Sequence, residues 1–82
     1  MNDIPRPVVR TLDLRGVACP LNYVKARVAL DRVSPGESIE LWIDHGEPEE
    51  NVPRSCEEDG YPVLLVEDAP EGHVRMLVQR PA

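Results

Sequence analysis

Residues 37–44 read Glu37-Ser38-Ile39-Glu40-Leu41-Trp42-Ile43-Asp44. Successive side chains of an extended strand point to opposite faces. Ile39, Leu41 and Ile43 therefore share one face, and Glu40, Trp42 and Asp44 share the other. The alternation predicts a half-buried strand over Glu37 to Asp44, with its aliphatic face on a core. Upstream, Ser34-Pro35-Gly36 is a break, because proline and glycine both stop helices. Before that break, Tyr23, Ala26, Leu30 and Val33 recur at helical spacing, with Ala29 beside them. This predicts a helix from about Pro20 to Val33. A second apolar stripe, Leu21, Val24 and Val28, lies on another side of it. It either packs against a neighbouring helix or forms a docking ridge for a partner.

Further upstream, Val8 to Leu14 favours a strand, broken by Gly16. Residues 1–7 carry two prolines and read as a loose arm, leaving a single domain over residues 8–82. Downstream, His45-Gly46-Glu47-Pro48 is a turn. A second helix is expected over Glu49 to Asp59, stopped by Gly60. Pro53 inside that span predicts a helix that is short, distorted or begun near Asn51. Tyr61 to Glu67 reads as a third strand, Asp68 to Gly72 as a turn and His73 to Arg80 as a fourth strand. Val74, Met76 and Val78 share one face of it. The order β-α-β-α-β-β predicts a two-layer α/β sandwich, with a four-stranded mixed sheet and two helices on one face. The open sheet face is expected to carry Trp42 and Arg75.

With 82 residues, 41% of them hydrophobic and 29% charged, the chain has ordinary globular composition. It has one Trp, two Tyr and no Phe, so branched aliphatics must fill the core. The formal net charge of −6 argues against direct binding to nucleic acid, which needs cations to displace counterions. Acidic residues concentrate between Asp44 and Asp59, either as a solvated face or as a docking surface for a basic partner. No run of eighteen or more apolar residues suggests a membrane span. The N-terminus lacks the pattern of a signal peptide, and a cytoplasmic location is expected. Thiols stay reduced there, so Cys19 and Cys56 read as reactive or buried singles rather than as a disulfide.

Cys19 directly precedes Pro20 at the expected start of a helix. Free backbone N–H groups and the helix dipole favour negative charge at such a position, and such positions raise the thiolate fraction of a cysteine. A persulfide on the same sulfur is also an anion and benefits from the same field. Arg15 and Lys25 are near in sequence and either add positive charge or remain solvated.

The stretch Leu12-Asp13-Leu14-Arg15-Gly16-Val17-Ala18-Cys19-Pro20-Leu21-Asn22 resembles the signature of the TusA/SirA-like sulfur-carrier family. That signature is a Leu-Asp strand, an Arg-Gly turn and Cys-Pro-x-Pro at the start of a helix. Ser34-Pro35-Gly36-Glu37 resembles the family's turn into its second strand, and Asp44 with Val52-Pro53 its Asp…Ile-Pro spacing. The resemblance covers roughly residues 11–80, and the element order is that of the family. It implies that Cys19 accepts sulfur as a persulfide from a cysteine desulfurase or rhodanese-like donor. Cys19 then relays it to an acceptor protein serving tRNA thiolation, cofactor maturation or sulfur metabolism. The chain would then be a protein co-substrate, expected to be monomeric, rather than a stand-alone enzyme. No metal or organic cofactor is implied.

One departure stands out. Asn22 occupies the place of the second proline, restoring a backbone N–H and adding an amide. The expectation is an intact fold with somewhat stronger anion stabilisation at Cys19. Cys56 reads as a small hydrophobe between helix and sheet, or alternatively as a resolving thiol for Cys19. His45 and His73, with the two cysteines, make a zinc-like inventory at the wrong spacings. The rival reading of the chain is a non-catalytic interaction module that keeps the fold but has lost sulfur transfer.

Overall fold

A computed structural model describes residues 8–82. The expected N-terminal arm, residues 1–7, lies outside the described residues. The elements are β1 (Val8–Asp13), α1 (Leu21–Leu30), β2 (Ser38–Ile43), α2 (Glu47–Glu58), β3 (Val63–Asp68) and β4 (Val74–Gln79). They form one four-stranded sheet in the order β1-β2-β4-β3. β1 runs parallel to β2, whereas β4 is antiparallel to both β2 and β3. The sheet is therefore mixed, with β4 inserted between two parallel strands.

The alternation that predicted β2 decides its packing. Ile39, Leu41 and Ile43 are fully buried and sit opposite Val78, Met76 and Val74 of β4. The same core takes Ala26, Ala29 and Leu30 from α1, and Val52 and Cys56 from α2. Both helices thus cover one sheet face, giving the expected two-layer arrangement. On the other face Trp42 pairs with Arg75. Polar contacts tie this face together. Arg75 bridges Glu40 at 3.1 Å and Glu67 at 2.8 Å, and the indole N–H of Trp42 donates to Glu40 at 2.6 Å. The buried His73 ring lies 5.0 Å from the Trp42 ring.

Two boundaries differ from expectation. α1 ends at Leu30, not Val33. A helix terminus needs partners for its last carbonyls. Here the Arg80 guanidinium donates to the carbonyl of Asp31 at 3.2 Å and to that of Val33 at 2.6 Å. The Tyr61 hydroxyl meanwhile donates to the Asp31 carboxylate at 2.9 Å. The chain is satisfied outside a helical ladder and turns. α2 begins at Glu47, two residues before the expected start, and contains Pro53. Pro48 falls in its first turn, where a missing N–H costs nothing. The Glu49 carboxylate accepts the Gly46 N–H at 3.0 Å and closes the start of the helix. Gly46 itself has a φ of 92°, which glycine adopts without strain.

Candidate functional site

Cys19 lies in the loop between β1 and α1, and that loop is anchored at two points. The Leu14 N–H donates to the Trp42 carbonyl at 2.8 Å, and the Gly16 N–H donates to the Asp44 carboxylate at 2.8 Å. Leu14 is itself part of the core. The Asn22 N–H donates back to the Ala18 carbonyl at 3.2 Å, and the Val24 N–H to the Pro20 carbonyl at 3.1 Å. Helical bonding thus starts around Cys19, and Pro20 is the capping residue rather than the first helical one.

Cys19 is half-buried and lies on the wall of two hollows. One, of about 230 Å³, lies between the start of α1 and the face of α2. It is lined by Cys19, Pro20, Tyr23, Asn51, Val52, Arg54 and Ser55. The Arg54 guanidinium donates to the Asn51 amide oxygen at 2.6 Å, which holds a cation beside the cysteine's hollow. The other hollow, of about 320 Å³, is bounded by residues 16–19 and by Asp44, His45, Glu47 and Pro48.

The two cations nearest Cys19 in sequence lie elsewhere. Arg15 forms a two-point pair with Asp13, at 2.9 and 2.8 Å, and its guanidinium sits 5.0 Å over the Trp42 ring. That pair holds the Asp13 carboxyl down at about 2, first through the side-chain hydrogen bond and then through the Arg15 backbone N–H. Lys25 faces a third groove, between α1 and β1. Neither residue lines a hollow containing Cys19. Arg54, 35 positions away from Cys19 in the sequence, does.

Asn22 stands in the first turn of α1. Its backbone N–H is taken by Ala18, and its side chain is fully buried. The amide oxygen accepts the Tyr23 N–H at 2.7 Å, while the amide nitrogen has no hydrogen-bond partner among the described residues. Neither donor is hydrogen-bonded to Cys19. The intact fold expected at this departure is present.

Cys56 is 0% exposed within the core. Burial, then the carboxylates of Asp59 and Glu57, push its thiol up to about 12. The small-hydrophobe reading fits this placement; a resolving thiol would have to leave the core. Tyr23 is likewise pushed up to about 12, by burial and by its hydrogen bond to Asp59. Asp59 also pairs with Arg27 at 3.3 Å, and the Glu57 carboxylate accepts the Val63 N–H at 3.0 Å. Much of the acidic stretch is therefore engaged in holding the fold, beyond what a merely solvated face would do.

His45, Glu49 and Asp68 bring one potential ligand atom each within 4.8 Å of the others. The imidazole, however, turns Nδ1 to Glu49 at 3.2 Å and Nε2 to Asp68 at 3.7 Å. A single ion takes one ring nitrogen, so this arrangement is a carboxylate bracket on the ring. Glu49 also accepts the Gly46 N–H, and that bond, then His45, lowers its carboxyl pKa. His73, the other histidine, lies far along the chain against Trp42 and joins no such cluster among the described residues.

Among the described residues, no helix is long and apolar enough to cross a membrane. The sequence profile of the family described as Sulfurtransferase TusA matches residues 10–80. A protein of Thermotoga maritima named "Putative sulfur carrier protein" is 39% identical over 61 residues, covering 74% of this chain and 77% of that protein. A protein of Archaeoglobus fulgidus with the same name is 35% identical over 69 residues, covering 84% of this chain and 78% of its own. The crystal structure of a SirA-like protein from Desulfitobacterium hafniense superposes with a TM-score of 0.77. It is 19% identical and covers 90% of this chain and 100% of its own, a likeness of fold. With the profile spanning nearly the whole sheet and both helices, and with Cys19 at the head of α1 as the resemblance required, the chain belongs to the TusA family of sulfur carriers.

Proposed function

We propose that Cys19 carries one sulfur atom as a persulfide between a donor enzyme and an acceptor protein. The donor is a cysteine desulfurase or rhodanese-like protein whose own cysteine bears a persulfide. The Cys19 thiolate attacks the terminal sulfur of that group. A sulfur–sulfur bond forms at Cys19, the donor's sulfur–sulfur bond breaks, and the donor thiolate leaves. One sulfur atom moves, with no net oxidation or reduction. The acceptor's nucleophile repeats the step on Cys19, which departs as thiolate.

The observation that carries this reading is the contrast between the two cysteines. Cys19 is half-buried on the walls of two hollows, whereas Cys56 is sealed in the core. A partner's reacting group can reach the first from outside, while the hollow's walls shield the bound sulfur. Arg54 supplies positive charge on one wall, where it favours an anionic persulfide. The chain has little enclosed volume for a small substrate of its own, which suits a carrier that works inside its partners' sites. The reduced compartment this chemistry needs is the cytoplasm.

The relay is tested by discharge. The protein is loaded with isotopically labelled sulfur from a cysteine desulfurase and freed of donor, then mixed with a fresh TusA-partner acceptor bearing a reactive cysteine. The label is expected to leave Cys19 and appear on the acceptor. Label that stays on Cys19, or a protein that never acquires it, contradicts the relay and favours the interaction-module reading.

A further inference from the structure

The stripe Leu21, Val24 and Val28 of α1 is not covered by α2. These side chains are 53%, 49% and 46% exposed. Their offsets of three and four residues form a ridge of the kind that meshes with a second helix. Beside it, between α1 and β1, runs a groove of about 250 Å³ with Leu12, Val24, Val28 and Ala29 along its floor. Its rim carries Arg10, Lys25 and Arg32. Among the described residues, none of these three has a carboxylate within ion-pair distance. Arg15, Arg27 and Arg75, by contrast, are each paired with acids. Among the described residues, three of the five cations without a carboxylate partner line this one apolar groove, in a chain of net charge −6; the other two are Arg54, beside the hollow of Cys19, and Arg80, on the carbonyls after α1.

We propose that this groove receives an acidic amphipathic helix of a partner protein. Its apolar side chains lie against Leu12, Val24 and Val28, and its carboxylates meet Arg10, Lys25 and Arg32. An apolar floor suits side chains better than a sugar–phosphate backbone, and the net negative charge of the chain repels nucleic acid at long range. Opposed charges on the two rims fix register and speed encounter. α1 rises about 1.5 Å per residue, so the ridge begins beside Cys19 and extends some 10 Å beyond it. On the carrier reading, a helix docked there holds its protein against the reacting sulfur.

The test titrates the full-length protein with a short helical peptide bearing leucines on one face and glutamates on its flanks. A second peptide replaces the glutamates by lysines. NMR amide shifts are followed in both. The acidic peptide is expected to bind roughly ten-fold or more tighter than its basic counterpart, with shifts confined to α1 and β1 and affinity falling as salt rises. In a variant with Arg10→Glu and Arg32→Glu the preference reverses, while sulfur loading of Cys19 from inorganic polysulfide stays unchanged. That loading reports the carrier chemistry separately, so either idea can fail alone. Equal affinity for the two peptides, shifts mapping outside α1 and β1, or an RNA oligonucleotide displacing the acidic peptide would each overturn the proposal.

Discussion

The Asp44 carboxylate accepts the backbone N–H of Gly16 at 2.8 Å, joining positions 28 residues apart in the chain. Asp44 follows β2, and Gly16 precedes Cys19 by three residues, with a φ of 79°. The bond ties the cysteine loop to the far end of the strand that organises the core. Asp44→Ala is expected to lower stability by about 1 kcal/mol, the scale of one partly exposed hydrogen bond to a charged group. Amide exchange at Gly16 should quicken while that of Leu41 changes little. Unaltered exchange at Gly16 would show that the loop is held by other contacts.

Arg54 brings a cation to the hollow of Cys19, held by Asn51 at 2.6 Å. Arg54→Ala should slow sulfur transfer to Cys19 by roughly ten-fold, the scale of one lost charge-assisted contact of about 1.4 kcal/mol. Arg54→Lys should recover part of the rate. Thermal stability should hardly change, since Arg54 is exposed. Equal rates for the three proteins, measured as single-turnover loading, would remove Arg54 from the mechanism.

Asn22→Pro reinstates the proline of the family signature. The N–H it deletes serves Ala18 rather than Cys19, and the amide nitrogen it deletes has no partner among the described residues. Losing the bond to the Ala18 carbonyl and the bond from the Tyr23 N–H to the Asn22 amide oxygen outweighs the relief of one unpaired buried polar group by about 1 kcal/mol. Chemical denaturation should therefore show a slightly lowered midpoint, and the loading rate should stay within about two-fold. A large drop in rate with an unchanged midpoint would restore Asn22 to a direct role at Cys19.

Cys56 is expected to resist alkylation in the native protein at mildly alkaline pH and to react once urea unfolds it. Its thiol holds a proton up to about 12 in the folded chain, against about 8.5 when unfolded. Between those values the unfolded state binds fewer protons, so stability falls as pH rises. The contribution is complete below about 8.5 and is lost through the alkaline range. Cys56→Ala should flatten that alkaline decline. Native-state alkylation of Cys56 at the rate of Cys19 would contradict its place in the core.

Much of this architecture is legible in the sequence because β2 and β4 alternate cleanly. Ile39, Leu41 and Ile43 face Val78, Met76 and Val74, and that register alone sets the inner face. The end of α1 is not legible, because the partner that satisfies its last carbonyls is Arg80, at the other end of the chain. Nor does the length of α2 follow from Pro53 by itself; burial of Val52 and Cys56 outweighs one lost ladder bond. At the site, Cys19 is legible from its place before Pro20 and from the surrounding signature. Arg15 and Lys25 are near it in sequence but are turned away, toward Asp13 and toward the groove of β1. Arg54, Asn51 and Ser55 reach its hollow through folding alone. A local signal for them exists: offsets of three and four place all three on one polar stripe beside the buried pair Val52 and Cys56.

The most direct test of the carrier account is the intact mass of the protein after incubation with a cysteine desulfurase, pyridoxal phosphate and cysteine. Wild type, Cys19→Ser and Cys56→Ser are compared without reductant. A gain of one sulfur atom in wild type and Cys56→Ser, and none in Cys19→Ser, is the predicted result. Absence of the gain in every protein, with a rhodanese-type donor as well, or its persistence in Cys19→Ser, would contradict the assignment of Cys19 as the carrier.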